Sequence, residues 1–218
     1  MEDLDIGRLT DEIARRVKAR IGQHDLEGKI IVPLGVSGRH LHLTREVLEG
    51  LFGKGFELGV DRPLTQVGEF AARETVTLVG PNGRAIERVR LLGPLRRFTQ
   101  VELARSDGLR LGIDLPVRRT GDLEGTPGVT VVGPAGTVVL REGAIRTTRH
   151  VHMSSDDAAR FGLRDGQVMR ARVAGVRAVT FENVIIRAGD GFVLDFHVDT
   201  DDANASGVDT GCFAEIIV

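Results

Sequence analysis

The stretch Arg39-His40-Leu41-His42-Leu43-Thr44 returns later in the chain as Arg149-His150-Val151-His152-Met153-Ser154. The chain has 218 residues and only six histidines, so chance does not readily explain a repeated Arg-His-x-His motif. Residues i and i+2 of a β-strand point to the same face, so each motif presents two imidazoles side by side. Thr44 and Ser154 can each cap a following helix, which predicts helices at 45–51 and 155–161. The sequence therefore predicts a duplicated unit of strand, histidine pair, cap and helix.

Paired imidazoles at this spacing are typical of metal sites, and zinc is the expected ion. His197, on a predicted strand at 191–198, can complete a three-histidine set with the second pair. The first pair, His40 and His42, needs a further ligand, for which Glu102 is the candidate. Asp195 shares a strand face with His197 and can orient its ring. The duplication fits either two ions or one site built from both halves.

Composition narrows the class of protein. The net charge of −2 argues against nucleic-acid binding. The charge is uneven, however, since residues 84–119 hold nine arginines against four acids. Such an arginine field suits an anionic small molecule, because guanidinium groups match phosphate oxygens two at a time. Cys212 is the only cysteine, which excludes a disulfide framework and metal ligation dominated by cysteine.

The chain is expected to be cytoplasmic, with no membrane association, because it shows neither a signal peptide nor a long apolar run. Its first segment predicts an amphipathic helix with apolar residues every four positions, followed by a polar linker at 22–28. The remainder predicts short strands with glycine-rich turns, typical of small barrels or sandwiches. These strands are expected at 29–36, 76–79, 85–92, 129–132, 137–141, 166–173, 178–187, 191–198 and 212–218. Residues 199–202 are predicted to be a polar turn.

Two known protein frameworks that carry a His-x-His motif fit this sequence poorly. Amidohydrolases carry the motif on a (β/α)8 barrel, which needs more residues and alternating helices. Cupins require a glutamate a few residues after the motif, whereas the first acids after His152 are the aspartates Asp156 and Asp157. Neither framework explains the duplication.

The chain resembles the PduL-type phosphate acyltransferases, also called phosphate propanoyltransferases. The sequence segments that carry this resemblance are spread over nearly the whole chain from about residue 30. They lie at 35–43, 66–76, 92–102, 116–118, 144–154 and 197–204. The resemblance implies a mainly β fold of two small β-barrel domains with short capping α-helices, preceded by the N-terminal amphipathic helix. It places the helix and linker at 1–28, barrel one discontinuously at 29–38 plus 147–218, and barrel two at 39–146.

The resemblance also implies two zinc ions and a set of site residues. One ion would be held by His40, His42 and Glu102, and the other by His150, His152 and His197. Arg96 matches the arginine that engages phosphate and is the catalytic candidate. Besides Arg96, six positions match the site for coenzyme A or phosphate: Ser37, Arg62, Arg90, Leu92, His197 and Asn204. At Arg62, relatives often carry lysine.

The activity implied is reversible acyl transfer, in which acyl-CoA and phosphate give acyl phosphate and CoA, with propanoyl or acetyl as the group moved. A homodimer or higher homo-oligomer is expected. The N-terminal helix resembles tails that direct some family members to the shell or cargo of a bacterial microcompartment, so a microcompartment is the second expected location. Two other classes remain open: a zinc-dependent thioesterase or hydrolase, which would release CoA without phosphate, and a non-catalytic zinc-stabilised binding module.

Overall fold

The computed structural model describes residues 28–218, so the predicted N-terminal helix and its tail function lie outside the described residues. Within that range the chain forms fifteen strands and four short helices. The strands are β1 (Ile30–Ser37), β2 (His40–His42), β3 (Val60–Pro63), β4 (Phe70–Val79), β5 (Ala85–Gly93), β6 (Gln100–Glu102), β7 (Val117–Arg118), β8 (Val129–Val132), β9 (Thr137–Leu140), β10 (Ala144–Thr147), β11 (His150–Met153), β12 (Val168–Val173), β13 (Val179–Ala188), β14 (Asp195–Asp199) and β15 (Phe213–Ile217). The helices are α1 (Arg45–Phe52), α2 (Arg105–Leu111), α3 (Ser155–Phe161) and α4 (Thr200–Ser206).

Six strands close into a barrel in the order β1-β14-β11-β13-β12-β15. Its strands show the period-2 pattern that a one-sided core requires, since Ile30, Val32 and Leu34 of β1 point inward while their neighbours are more exposed. Phe196 is fully buried in a cluster of mostly aliphatic side chains. The closed barrel therefore joins the first strand of the described chain to its last third.

The other nine strands form a second sheet in the order β7-β10-β6-β2-β5-β4-β8-β9, with β3 paired to the edge of β4. Hydrogen bonds do not close this sheet, so it is a half-barrel rather than a complete one. It has its own aliphatic core, which includes Leu41, Leu78 and Leu91. The mainly β class predicted from the sequence is confirmed.

The two predicted helices α1 and α3 are confirmed. Thr44 and Ser154 cap them, each accepting a hydrogen bond from the backbone N–H three residues on. The prediction of a polar turn at 199–202 is wrong, because Asp199 is the N-cap of α4 and accepts from the Asp202 N–H at 2.9 Å. Helix α2 was also missed. None of the four helices within residues 28–218 has the length and apolar character needed to cross a membrane.

Candidate active site

Both histidine motifs begin where the chain crosses between the two sheets. Strand β1 ends at Ser37 in the closed barrel, and β2 starts at His40 in the half-barrel. The return crossing has the same length, from Thr147 at the end of β10 to His150 at the start of β11. Each motif therefore starts at the boundary between the sheets, and both histidine pairs face a common cleft.

The first group consists of His40, His42 and Glu102. Strands β2 and β6 are antiparallel, and His40 lies directly opposite Glu102 in their register. Nε2 of His40 is 3.6 Å from one carboxylate oxygen of Glu102, and Nε2 of His42 is 3.9 Å from the other. Both imidazoles are buried. The sequence candidate Glu102 thus lies beside the predicted histidine pair.

Neighbouring polar groups hold the Glu102 carboxylate in place. Gln100 donates a hydrogen bond to one oxygen at 2.5 Å, and the Thr147 hydroxyl donates to the other. Burial acts to raise the pKa of Glu102, yet the charge and hydrogen bond of His40 hold that pKa well below its usual range. Burial in turn acts to lower the pKa of His40, but Glu102 outweighs it and raises the pKa. Glu102 is therefore a charged, oriented acceptor.

The second group is a triangle of three imidazoles. The ring centroids of His150, His152 and His197 lie 4.7, 4.9 and 5.0 Å apart. His197 is opposite His150 in the antiparallel register of β11 and β14. Nε2 of His197 lies 3.0 Å from Oδ2 of Asp195, which is the orienting contact expected from the sequence.

The ring nitrogens follow the same pattern in both groups. Nδ1 of His40 lies 2.8 Å from the Gly38 carbonyl oxygen, and Nδ1 of His150 lies 2.8 Å from that of Thr148. When such a ring is neutral, the proton on Nδ1 points to the carbonyl oxygen and the lone pair lies on Nε2. Nδ1 of His42 and Nδ1 of His152 are buried without any hydrogen-bond partner among the described residues. Buried polar atoms rarely lack a hydrogen-bond partner. These two ring nitrogens therefore indicate a binding partner outside the protein's own atoms.

Protonation also suits metal binding. Burial, with the charge of His40 adding to it, lowers the pKa of His42 to about 3. Burial likewise lowers the pKa of His150 to about 3 and that of His152 to about 2. These three side chains are neutral at pH 7, which is the form that ligates metals.

Each group fits a metal ion. The potential ligand atoms of each group all lie within 4.8 Å of one another. A tetrahedral ion with bonds of about 2.1 Å separates its ligand atoms by about 3.4 Å, close to the separations from Glu102 given above. Both groups could therefore hold metal ions with only small adjustments of the side chains.

The duplication extends to the supporting residues. In each half, the third side chain of the group lies on the strand antiparallel to the histidine pair, and a short helix follows that strand. Five residues after the third side chain comes an aspartate, Asp107 or Asp202. Asp107 pairs with Arg39 at 3.4 Å, and Asp202 pairs with Arg149 at 2.7 Å. The equal spacing of Glu102 to Asp107 and of His197 to Asp202 is a sequence signal that supports Glu102 as the counterpart of His197.

All six side chains line one cavity of about 360 Å³. Arg96 and Ser37 line it too. Arg96 is anchored twice: its backbone N–H donates to the Leu43 carbonyl oxygen at 2.8 Å, and its guanidinium pairs with Glu69 at 2.8 Å. The structure thus brings the predicted phosphate arginine to both candidate metal groups.

Four predicted substrate-contacting residues do not line this cavity. Arg90 and Leu92 lie on β5 opposite His40 and His42 in the parallel register with β2. The Arg90 guanidinium donates to the Ala72 carbonyl oxygen at 2.6 Å. Arg62 on β3 and Asn204 on α4 are both exposed.

Other residues of the cavity escaped the sequence interpretation. Gln66 and Phe192 line it from loops, and Phe192 stacks on the His152 ring with centroids 4.6 Å apart. Arg187 lines it from β13, beside His152 in the strand register. Gln66 and Arg187 lie outside any repeated motif, so only long-range pairing reveals them.

Comparisons with known proteins identify the family of the chain. Residues 33–209 match the family described as phosphate propanoyltransferase. A phosphate propanoyltransferase of Thermotoga maritima is 49% identical over 96% of this chain and 99% of its own length. Those of Lachnoclostridium phytofermentans and Clostridioides difficile are 44% and 39% identical over 94% and 100% of this chain, and over 97% and 99% of their own lengths. The chain therefore belongs to the phosphate propanoyltransferase family of phosphate acyltransferases.

Proposed function

We propose that this enzyme transfers a short acyl group, propanoyl or acetyl, reversibly between coenzyme A and inorganic phosphate, and that two zinc ions serve the reaction. The observation that carries the proposal is the single cavity lined by both three-ligand groups and by Arg96. A scaffold needs no phosphate-binding arginine there. The relatives are named phosphate propanoyltransferases, and this name is the basis for proposing phosphate and a propanoyl group as the reacting groups.

The ligand assignment follows the two groups. His40, His42 and Glu102 would hold one ion, and His150, His152 and His197 the other. Zinc suits these nitrogen and carboxylate donors, and when bound it supplies Lewis-acid stabilisation of negative charge on substrate oxygen or sulfur. Asp195 would keep the His197 ring in its ligating orientation.

The reaction itself is direct attack by phosphate on the thioester. An oxygen of phosphate forms a bond to the thioester carbonyl carbon, the carbon–sulfur bond then breaks, and CoA leaves as a thiolate. Arg96 would bind phosphate and reduce the repulsion between its charge and the electron-rich carbonyl, since its guanidinium is held at the cavity wall by Glu69. Cys212 packs against the core of the closed barrel and is no candidate for a covalent acyl-enzyme.

Coenzyme A is longer than the cavity, so part of it must lie outside. Ser37 and His197 would contact it at the cavity, while Arg90, Leu92 and Asn204 would contact it further out. The exposed guanidinium of Arg62 would neutralise part of the charge on its phosphates.

The resemblance supports three wider proposals, and the strand pairing supports the first of them. Residues 29–38 with 147–218 form one domain, and residues 39–146 form the other. The protein acts as a homodimer or larger homo-oligomer. It works in the cytoplasm or, through the helix predicted near its N-terminus, inside a bacterial microcompartment. Light scattering would test the oligomeric state, and localisation of a fusion that lacks residues 1–28 would test the location.

Thiol release from propanoyl-CoA and acetyl-CoA, measured with and without phosphate and before and after chelation, tests the proposed reaction. We expect release that depends on both phosphate and metal, with stoichiometric formation of acyl phosphate. Release without phosphate would identify a thioesterase. No release by the zinc-loaded protein with either substrate would contradict enzymatic acyl transfer and favour a binding module.

A further inference from the structure

A second cavity of about 190 Å³ lies behind the second histidine group. Arg119, Thr148 and Asp165 line it on the outside. Thr120, His150 and Arg187 line both this cavity and the catalytic one. We call it the side cavity. Because three residues are common to the two linings, the cavities share a wall.

Arg187 is the main charged group of that wall. It is half-buried, and it has neither an ion pair nor a hydrogen bond within residues 28–218. Its guanidinium lies over the Phe192 ring, 5.7 Å from the centroid, and Phe192 stacks on His152. Burial lowers the pKa of Arg187. No carboxylate pairs with the Arg187 guanidinium within the described residues, so Arg187 retains its capacity to bind an anion.

The outer opening carries a second arginine. Arg119 is exposed and unpaired within the described residues, and its guanidinium reaches to 4.0 Å from the position that a β-carbon on Gly166 would occupy. Its loop is well anchored, because Gly121 donates to the Gln100 side chain at 2.8 Å and Thr148 donates to the Arg118 carbonyl oxygen at 2.9 Å. The backbone beside Arg119 is thus fixed, and its exposed side chain lines the side cavity.

The charge balance of the lining favours an anion. Asp165 is the only acid among the lining residues, and its Oδ1 already accepts a hydrogen bond from the Ala188 N–H at 3.0 Å. Arginine forks match phosphate oxygens in pairs. A water molecule takes up about 30 Å³, and phosphate is roughly twice that size, so the side cavity has room for the anion and several waters.

Direct attack requires phosphate and acyl-CoA to be present together. The outer residues proposed to contact coenzyme A, Arg62, Arg90 and Asn204, are absent from the side cavity's lining. A bound acyl-CoA would therefore leave this second approach open.

We propose that the side cavity is an oxyanion-binding entrance, in which Arg119 attracts the phosphate group and Arg187 receives it at the wall shared with the catalytic cavity. This inference rests on the proposed acyl transfer from coenzyme A to phosphate. Arg96 remains the residue that holds phosphate for attack. The phosphate group can come from inorganic phosphate or, in the reverse direction, from acyl phosphate.

Steady-state kinetics of Arg119→Glu, Arg187→Ala and Arg187→Lys test the proposal, with Arg170→Ala as the control. Arg170 is an exposed, unpaired arginine on β12 that lies outside both linings. We expect the KM for phosphate to rise roughly threefold to tenfold for Arg119→Glu and more than about tenfold for Arg187→Ala, as loss of a charge-assisted bond predicts. The KM for propanoyl-CoA should stay within about twofold, and Arg187→Lys should recover part of the loss because it keeps the charge.

The two sources of the anion are separated by running the reaction in both directions. A raised KM for phosphate would identify free phosphate as the anion that uses the side cavity. A raised KM for propanoyl phosphate alone would identify the phosphoryl end of that substrate instead. Either result supports the oxyanion entrance. Changes no larger than those of Arg170→Ala, or a parallel rise in the KM for propanoyl-CoA, would overturn it.

If the wild-type protein proved inactive, the proposed function would fail first. Calorimetric titration of inorganic phosphate into the wild type and the same variants would then decide: weaker binding by Arg187→Ala and Arg119→Glu supports the entrance, and equal binding overturns it.

Discussion

The side-chain amide of Gln66 pairs with both backbone polar groups of Val193, 127 positions further along the chain. Its Nε2 donates to the Val193 carbonyl oxygen at 2.9 Å, and its Oε1 accepts from the Val193 N–H at 3.0 Å. Gln66 is buried and belongs to the half-barrel, whereas Val193 lies in the loop that enters β14 of the closed barrel. The pair therefore clamps the two halves together beside Phe192, which stacks on His152.

Replacing Gln66 with alanine should loosen this clamp. Both backbone groups of Val193 lose their partner, which we expect to lower the free energy of unfolding by about 1–3 kcal/mol. Freeing Phe192 should also reduce kcat/KM by roughly tenfold through misplacement of the site. Urea unfolding and initial rates check this, with the exposed neighbour Thr65→Ala as the control. Equal behaviour of the two variants would show that the clamp has no role in holding the site.

The short distance between Gly35 and the Asp195 carboxylate allows a test of the three-histidine group. A β-carbon there would lie 2.9 Å from Oδ2 of Asp195, the oxygen that contacts His197. Gly35→Ala should displace that carboxylate and weaken zinc binding at one site about 10–100-fold, as loss of a ligand's orienting partner does. We expect zinc content after dialysis to fall from two ions per chain towards one.

Gly38→Ala is the matched control for that experiment, because no atom lies within 4 Å of the added carbon. It should retain both ions. Full occupancy in Gly35→Ala would mean that Asp195 does not support ligation by His197.

The sequence was informative where a short-range pattern carried the structure. The spacing of His40 and His42, repeated in the second motif, predicts both histidine pairs, and the hydroxyl caps predict α1 and α3 to within a residue. Helix α4 was mistaken for a turn because its first residues are acidic, although acids favour the first turn of a helix and Asp199 caps it. Arg187 and Gln66 could not be predicted, since each acquires its role from a strand register or a loop contact far along the chain.

Removing one ligand from each group separates the two ions. His42→Ala and His152→Ala should each lose one equivalent of zinc and keep the other, because the two groups share no side chain. Since both groups line one cavity, each variant should lose more than about 100-fold in kcat, and chelation of the wild type should do the same. Metal analysis beside thiol-release rates checks this. Loss of both ions in either variant would instead indicate that the two groups depend on each other for metal binding.

The two motif arginines should contribute unequally to stability, despite their equivalent positions. Arg149 forms two hydrogen bonds of 2.7 Å with Asp202, which is mostly buried, and lies 4.9 Å from the Phe181 ring centroid. Arg39 reaches Asp107 only at 3.4 Å and is 40% exposed. After allowance for partial exposure, we expect Arg149→Ala to lower the free energy of unfolding by about 1–2 kcal/mol and Arg39→Ala by about 0–1 kcal/mol. Urea midpoints of both variants check the order, and Asp202→Asn should approach Arg149→Ala if the ion pair is the cause. A larger effect for Arg39→Ala would show that the crossing into β2, rather than the crossing into β11, depends on its arginine.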